Sequence, residues 1–234
     1  MNERESRRAF LTVAGVLLVA CRKGERAAEP PPKAGSGEEV SATEDLMREH
    51  GVIRRILVIY RETAMRLRTQ PASVPPDALQ KAARVMRSFG EDYHEKQLEE
   101  MNIFPALVKG SGPLTGLVNT LIAQHQRGRE ITEYILAVTE KAIGPAAEPL
   151  ARTLEAFARM YEDHAALEDT IVFPAWKKAL TPKEVADMGD RFEDIEQGTF
   201  GKDGFDEAVG QVAAIETTLG IELAGMTAPA PPRQ

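Results

Sequence analysis

Leu46, His50, Ile53, Leu57, Tyr60, Ala64 and Leu67 fall four and three residues apart in alternation. That spacing lays a single stripe along one side of an α-helix, and such a stripe has to be covered by other helices. The pattern repeats. Leu114, Leu117, Leu121, His125, Gly128, Thr132 and Ile135 form a second stripe, and Leu150, Leu154, Phe157, Tyr161, His164, Glu168 and Ile171 a third. Residues 76–108 read as a further helix between them, and no segment alternates as a strand would. Punctuation separates the four. Ser41 to Glu44 offers a capping box at the first start. Pro71, Pro75 and Pro76 end the first helix, Gly110-Ser111-Gly112 the second and Gly144-Pro145 the third, with Pro113 opening the third. Short connections favour antiparallel neighbours, so the expected fold is all-α, an up-down four-helix bundle over residues 42–180.

Each expected helix carries one histidine, His50, His94, His125 or His164, and the chain has only these four. A lone histidine on an apolar stripe is ordinarily a core residue with a hydrogen-bond partner. Four buried imidazoles would each need such a partner, whereas one metal site satisfies them together. His164 and Glu168, four apart, point the same way on a helix. Imidazole with carboxylate and no thiolate suits iron, zinc or manganese. Two stretches also echo each other, HEKQLEEMNIFP from His94 and HAALEDTIVFP from His164, as though one site were built from two halves. A ferritin-like di-iron site needs Glu-x-x-His on two helices, and only Glu91-x-x-His94 is present.

The segments LMREHGVIRR, YHEKQLEEMNIFPAL, HQRGRE and YEDHAALEDTIVFPA together resemble the hemerythrin-like, or HHE, cation-binding domain over residues 42–176. The resemblance implies a non-haem centre of two iron ions, held by histidines and bridged by carboxylates, that binds dioxygen or peroxide or serves in oxygen and iron sensing. Carried over position by position, His50, His94, His125 and His164 are terminal ligands and Glu168 a bridge. The second bridge is Glu99, with Glu100 in reserve. Glu99 stands five residues after His94, about 140° away on an ideal α-helix, so a π-bulge is expected to bring the two onto one face. The oxygen carriers of the family have a further histidine one turn after the position of His125. Here that residue is Arg129, which cannot ligate a metal, so one iron would have a vacancy, open to water or peroxide, unless Glu95 or Glu130 fills it. Reversible oxygen carriage is therefore less expected than sensing, peroxide reduction or iron handling. Tyr93 and Tyr161 are candidates for hydrogen bonding behind the ligands, against the plainer reading that they fill the core. The two Phe-Pro pairs read as packing and helix-bending features.

The termini are read separately. Residues 1–21 form a signal peptide: Arg7 and Arg8 match a twin-arginine motif, an apolar run from Phe10 to Ala20 is too short to span a membrane, and Leu18-Val19-Ala20-Cys21 resembles a lipobox. Cys21 would carry the lipid, placing an exported lipoprotein in the periplasm or at the cell surface of a bacterium. Residues 22–41 are expected to be a flexible Pro-, Gly- and Ala-rich tether and residues 227–234, TAPAPPRQ, a disordered tail. Residues 181–226 are expected to add two helices, from Pro182 to about Gln197 and from about Phe205 to Leu219, that buttress the bundle. A net charge of −7 with no basic stripe argues against a nucleic-acid partner. The single cysteine rules out an intrachain disulfide. The chain is thus expected to bind metal and oxygen rather than to be an enzyme; a di-iron oxidase or peroxidase and a metal-free helical envelope module are the alternatives.

Overall fold

The computed structural model describes residues 40–109 and 112–232, and every regular element among them is helical. Arg7, Arg8 and Cys21, with the rest of the expected signal peptide, lie outside the described residues. The first helix, α1 (Ala42–Thr69), buries the whole expected stripe from Leu46 to Leu67. Ser41 caps it by accepting from the Glu44 N–H; a full reciprocal box forms between Thr181 and Glu184.

The second bundle helix is continuous but changes its winding. It begins as α2 (Pro76–Val85), continues with i→i+5 hydrogen bonds from Met86 to Ile103, and returns to α geometry in α3 (Phe104–Val108). The third is α4 (Thr115–Thr139), shorter at both ends than the 113–143 expected. The fourth runs as α5 (Ala147–Leu167), a π-wound turn over Glu168–Val172, and α6 (Phe173–Ala179). Packing closes a ring of four: α1 lies on α5, α5 on α4, α4 on α2 and its π-wound continuation, and these on α1.

Both π-wound stretches end at Phe-Pro. A proline has no N–H to donate, and its ring collides with the carbonyl four residues back. Pro105 and Pro174 therefore disfavour the α register before them, and the preceding phenylalanine bonds five residues back instead, Phe104 N–H to the Glu99 carbonyl and Phe173 N–H to the Glu168 carbonyl. The wide turn also moves the buried face. Ile171, expected on the stripe, is 39% exposed, while Val172 and Phe173 are fully buried in its place.

Two further helices pack on the α1 and α2 side. Helix α7 (Pro182–Phe200) runs three residues past its expected end and stops at Gly201, whose φ of 68° is the left-handed conformation glycine adopts without strain. Helix α8 (Gly204–Leu219) buries Ala208, Val212, Ile215 and Leu219 against α1 and α2, and a two-pronged Arg55–Glu216 pair at 2.9 and 2.6 Å pins it to α1.

The shifted face can be tested by a pair of substitutions. Val172→Ala is expected to cost about 1–3 kcal/mol of stability as a large-to-small core change. Ile171→Ala should stay within about 0.5 kcal/mol. Urea denaturation of both variants checks this, and a larger loss for Ile171→Ala than for Val172→Ala would mean that the α-helical stripe was the correct reading.

Candidate metal centre

The four histidines meet at mid-bundle, where α1, the π-wound stretch of the second helix, α4 and the end of α5 come together. All four are buried, as are Glu99 and Glu168. The rings form two pairs, His50 with His94 at 4.7 Å between centroids and His125 with His164 at 4.8 Å. Each carboxylate faces one ring of each pair. Glu99 Oε1 is 3.5 Å from His94 Nε2 and its Oε2 is 3.3 Å from His125 Nε2. Glu168 Oε2 is 3.4 Å from His50 Nε2 and 3.0 Å from His164 Nε2. Winding five residues to the turn is what places Glu99 beside His94. The expected single bulge is a π-wound stretch of 18 residues.

The outward nitrogen of every ring is engaged. His50 Nδ1 meets Asp169 at 2.7 Å, His94 Nδ1 meets Glu49 at 2.7 Å, His125 Nδ1 meets Glu100 at 2.9 Å, and His164 Nδ1 meets the Gln124 side-chain oxygen at 2.9 Å. These partners only accept, so each Nδ1 carries the proton and each neutral ring presents an Nε2 lone pair inward. His125 Nε2 and His164 Nε2 then stand 3.1 Å apart, which two lone pairs tolerate only with a proton or a metal cation between them. The inward oxygens of Glu99 and Glu168, with His94 Nε2, have no partner of hydrogen-bonding geometry. Ligands at about 2.1 Å from a common ion and at right angles to each other lie about 3 Å apart, and these atoms have that spacing. They fall into two groups sharing Glu99: His50, His94 and Glu99; and Glu99, His125, His164 and Glu168. The donor set fits metal cations.

Without metal, the field of the site does a similar job with protons. Burial resists charge on His50, His94 and His125, but the facing carboxylates outweigh it. All three are raised, His125 to about 10 through Glu95, Glu100 and Glu99. Burial also resists ionisation of Glu99 and Glu168, as does their mutual repulsion in the case of Glu99. The histidines nonetheless hold both below the ordinary carboxylate range, Glu168 well below.

Five more sequence candidates take other places. Glu100 is not between the ring pairs; it orients His125 and accepts from Arg129 at 2.7 Å. Glu95 lies with Glu100 and His125 in a third cluster, but the Arg129 guanidinium reaches into that corner, 3.3 Å from Glu95. Glu95 also accepts from the Tyr161 hydroxyl, and burial pushes its carboxyl up to about 7. Glu130 is overturned as a ligand candidate: it is exposed and pairs with Arg127 at 2.7 Å, because the face of α4 five residues on from His125 looks into solvent. Tyr93 donates to Glu49 at 3.0 Å, behind His94. Tyr93 thus hydrogen-bonds behind His94, Tyr161 bonds Glu95 beside the His125 half, and both also fill the core. The Phe-Pro phenylalanines lie against the site, Phe104 stacked on His125 at 5.6 Å and Phe173 tilted on His50 at 5.3 Å.

Residues 41–176, 58% of the chain, match the model of the Hemerythrin HHE cation binding domain. The chain belongs to this family. Uncharacterized proteins of Mycobacterium bovis and Mycobacterium tuberculosis are 44% identical to it over 222 residues, covering 90% of this chain and 84% of theirs. No solved structure matches the chain. The HHE domain is a cation-binding helical bundle, and the histidine and glutamate clusters able to hold the cations are those described above.

Sequence reading of the HHE domain missed three residues that position ligands, Glu49, Gln124 and Asp169. A signal for them exists. Glu49 and Gln124 directly precede His50 and His125; Glu100 and Asp169 directly follow Glu99 and Glu168. Each half of the site repeats the same two dipeptide positions.

Two predictions follow from this geometry. A Cβ at Gly128 would overlap the Tyr161 hydroxyl, so Gly128→Ala should displace Tyr161 from Glu95 and cost about 1–3 kcal/mol; equilibrium unfolding checks the loss, and an unchanged midpoint would refute it. The second concerns the metal-free protein. Histidines raised above an unfolded value of about 6.5 stabilise it fully below that pH and lose this as pH climbs toward about 10. The depressed glutamates stabilise it above about 4.5 and lose this as pH falls. The melting temperature should therefore peak near pH 5–6.5 and decline toward pH 10, and bound cation should flatten the alkaline decline by replacing the protons. Melting curves from pH 4 to 10 with and without metal decide it.

Proposed function

We propose that this chain is a non-haem di-iron protein that binds or senses dioxygen or a related oxidant such as peroxide, exported and held at the membrane by a lipid on Cys21. The observation that carries the reading is the convergence of four imidazole Nε2 atoms on two buried carboxylates whose inward oxygens have no hydrogen-bond partner. His50 and His94 would hold one ion, His125 and His164 the other, with Glu99 and Glu168 between them. A nitrogen and oxygen donor set without thiolate suits iron, and a metal-free module would leave these atoms facing one another with only protons to reconcile them. Iron held there supplies a redox-active Lewis acid able to take up a small oxidant.

The surrounding side chains shape what such a centre can do. Phe104 and Phe173 lie over His125 and His50 and keep bulk water from the rings. Glu95, bonded to Tyr161 and Arg129, places a hydroxyl and a fixed positive charge at the edge of the His125 half. This environment favours a small, partly anionic ligand. Among the described residues no helix is long and apolar enough to cross a membrane, so attachment through Cys21 would be the anchor. The Arg7-Arg8 motif implies an export route that carries folded proteins, so metal can be loaded before export.

The form beginning after Cys21, purified without oxygen, is expected to hold about two irons per chain and to gain near-ultraviolet absorption on exposure to air. Reversal of that absorption under vacuum identifies a binding protein; peroxide turnover with a reductant identifies an oxidase or peroxidase instead. His164→Ala should lose metal while remaining helical by circular dichroism. Absence of bound metal after anaerobic iron reconstitution would overturn the reading.

A further inference from the structure

The family match ends at residue 176, yet the helices beyond it reach the site. Helix α7 packs on α1 and on the π-wound stretch that carries His94. At its end Thr199 exchanges hydrogen bonds with Gln97 at 3.1 and 3.3 Å, and the Phe200 ring meets Tyr93 edge-on at 5.2 Å. Tyr93, fully buried, is also flanked by Phe89 at 5.6 Å. Its hydroxyl donates to Glu49 Oε1, and Glu49 Oε2 holds His94 Nδ1. Three consecutive contacts thus run from the C-terminal helices to an inward-facing imidazole.

The slot for Phe200 is built deliberately into the backbone. A Cβ at Gly204 would overlap the Phe200 ring, so only glycine leaves that ring its place. Gly201 supplies the left-handed turn that brings α8 back over α7. Glu196, buried, accepts from the Phe205 N–H at 2.8 Å, and Arg48 of α1 lies 4.4 Å over the Phe205 ring. The junction is therefore fixed on both sides of Phe200.

The other half of the site is supported differently. The residue before His164 is Asp163, where the residue before His94 is Tyr93, and His164 is oriented by the neutral amide of Gln124 rather than by a carboxylate. A carboxylate behind a ligating histidine raises its basicity and fixes its ring more strongly than an amide does.

We propose that Phe200, Tyr93 and Glu49 are positioning residues through which the C-terminal helices fix His94, making the His94 half of the centre the more firmly held of the two. This rests on the two-cation reading, and the test separates the two. The full chain is loaded with iron and challenged with a chelator, and release of each ion is timed. Two phases are expected. Glu49→Gln, Tyr93→Phe and Phe200→Ala should each speed the slower phase by about 10- to 100-fold, the range that loss of support behind a metal ligand produces. Gly204→Ala, which displaces the Phe200 ring, should do the same, and Phe200→Tyr should restore slow release.

Val212→Ala is the control, because Val212 is fully buried in α8 and lies off the path. It should lower stability and leave both release phases unchanged. A second readout needs no metal. In the metal-free protein the His94 Nδ1 proton, bonded to Glu49, should give a downfield nuclear magnetic resonance signal that moves in Tyr93→Phe and Phe200→Ala but not in Val212→Ala. If the wild type binds no iron but this signal responds, the di-iron reading fails and the positioning chain stands. If the signal and the release rates of Phe200→Ala match those of Val212→Ala, the proposal is overturned.

Discussion

Two carboxylates with no hydrogen-bond partners at their inward oxygens, enclosed by four imidazoles in the core of a helical bundle, set the terms for everything around them. Removing even one ion from water costs several kcal/mol after relaxation, comparable with or greater than the roughly 1.5–3 kcal/mol that burial of a whole apolar side chain returns. Such an arrangement persists only with positive charge among the oxygens. The histidines supply it as protons, or accept it as metal cations, and the Nδ1 contacts decide between these roles. With every outward nitrogen committed to an acceptor, the inward nitrogens keep free lone pairs whenever the rings are neutral. The site is thereby able to hold positive charge in either condition, in keeping with the cation-binding description of the HHE family.

The π-wound stretches are the local device that makes this possible. One Phe-Pro step does three things in each half. Its proline displaces the α register, so that the phenylalanine N–H reaches the backbone carbonyl of the glutamate five residues earlier. The phenylalanine ring covers a histidine on another helix, His125 for Phe104 and His50 for Phe173. The residue after the glutamate, Glu100 or Asp169, then reaches the outward nitrogen of that same histidine. The echo between HEKQLEEMNIFP and HAALEDTIVFP is thus a repeated structural unit, in which glutamate, its successor and Phe-Pro are a single working part.

The bundle itself was legible because burial imposes a period, and Leu46 to Leu67 on α1 obeys it without exception. His50, His125 and His164 were legible because they interrupt apolar stripes, His94 because its segment echoes that of His164, and Glu168 because it stands one α-turn from His164. Glu99 needed the π-winding to be inferred from a five-residue gap. Ile171 was misplaced for the complementary reason: the same winding change follows Glu168, and a 3.6-residue period extended through it points the wrong side chain inward. Glu49, Gln124 and Asp169 carry no periodic signal, since a polar residue beside a stripe ordinarily faces water. What distinguishes them is adjacency to a ligand in both halves. The contact of Phe200 with Tyr93 was out of reach altogether, because it depends on how α7 docks and not on any local pattern.

Arg129 shows how the same scaffold fixes its ligand set. It lies one turn after His125 on α4, directed toward the corner where Glu95, Glu100 and His125 cluster. A ligating side chain there would add a donor to the His125 half. A guanidinium instead adds a permanent positive charge that cannot ligate and cannot be titrated away near neutral pH. It holds Glu100 on His125, and together with the Tyr161 hydroxyl it holds Glu95. Drawing either carboxylate into the centre would strand that charge in a half-buried position, a cost of the kind that breaking a partly buried ion pair incurs. The corner is therefore occupied by charge rather than by a ligand. On the proposed two-cation reading the ligand set closes at four histidines and two glutamates, and the two halves differ in what stands behind them: Glu49 with Tyr93 on one side, Gln124 with the Arg129 corner on the other.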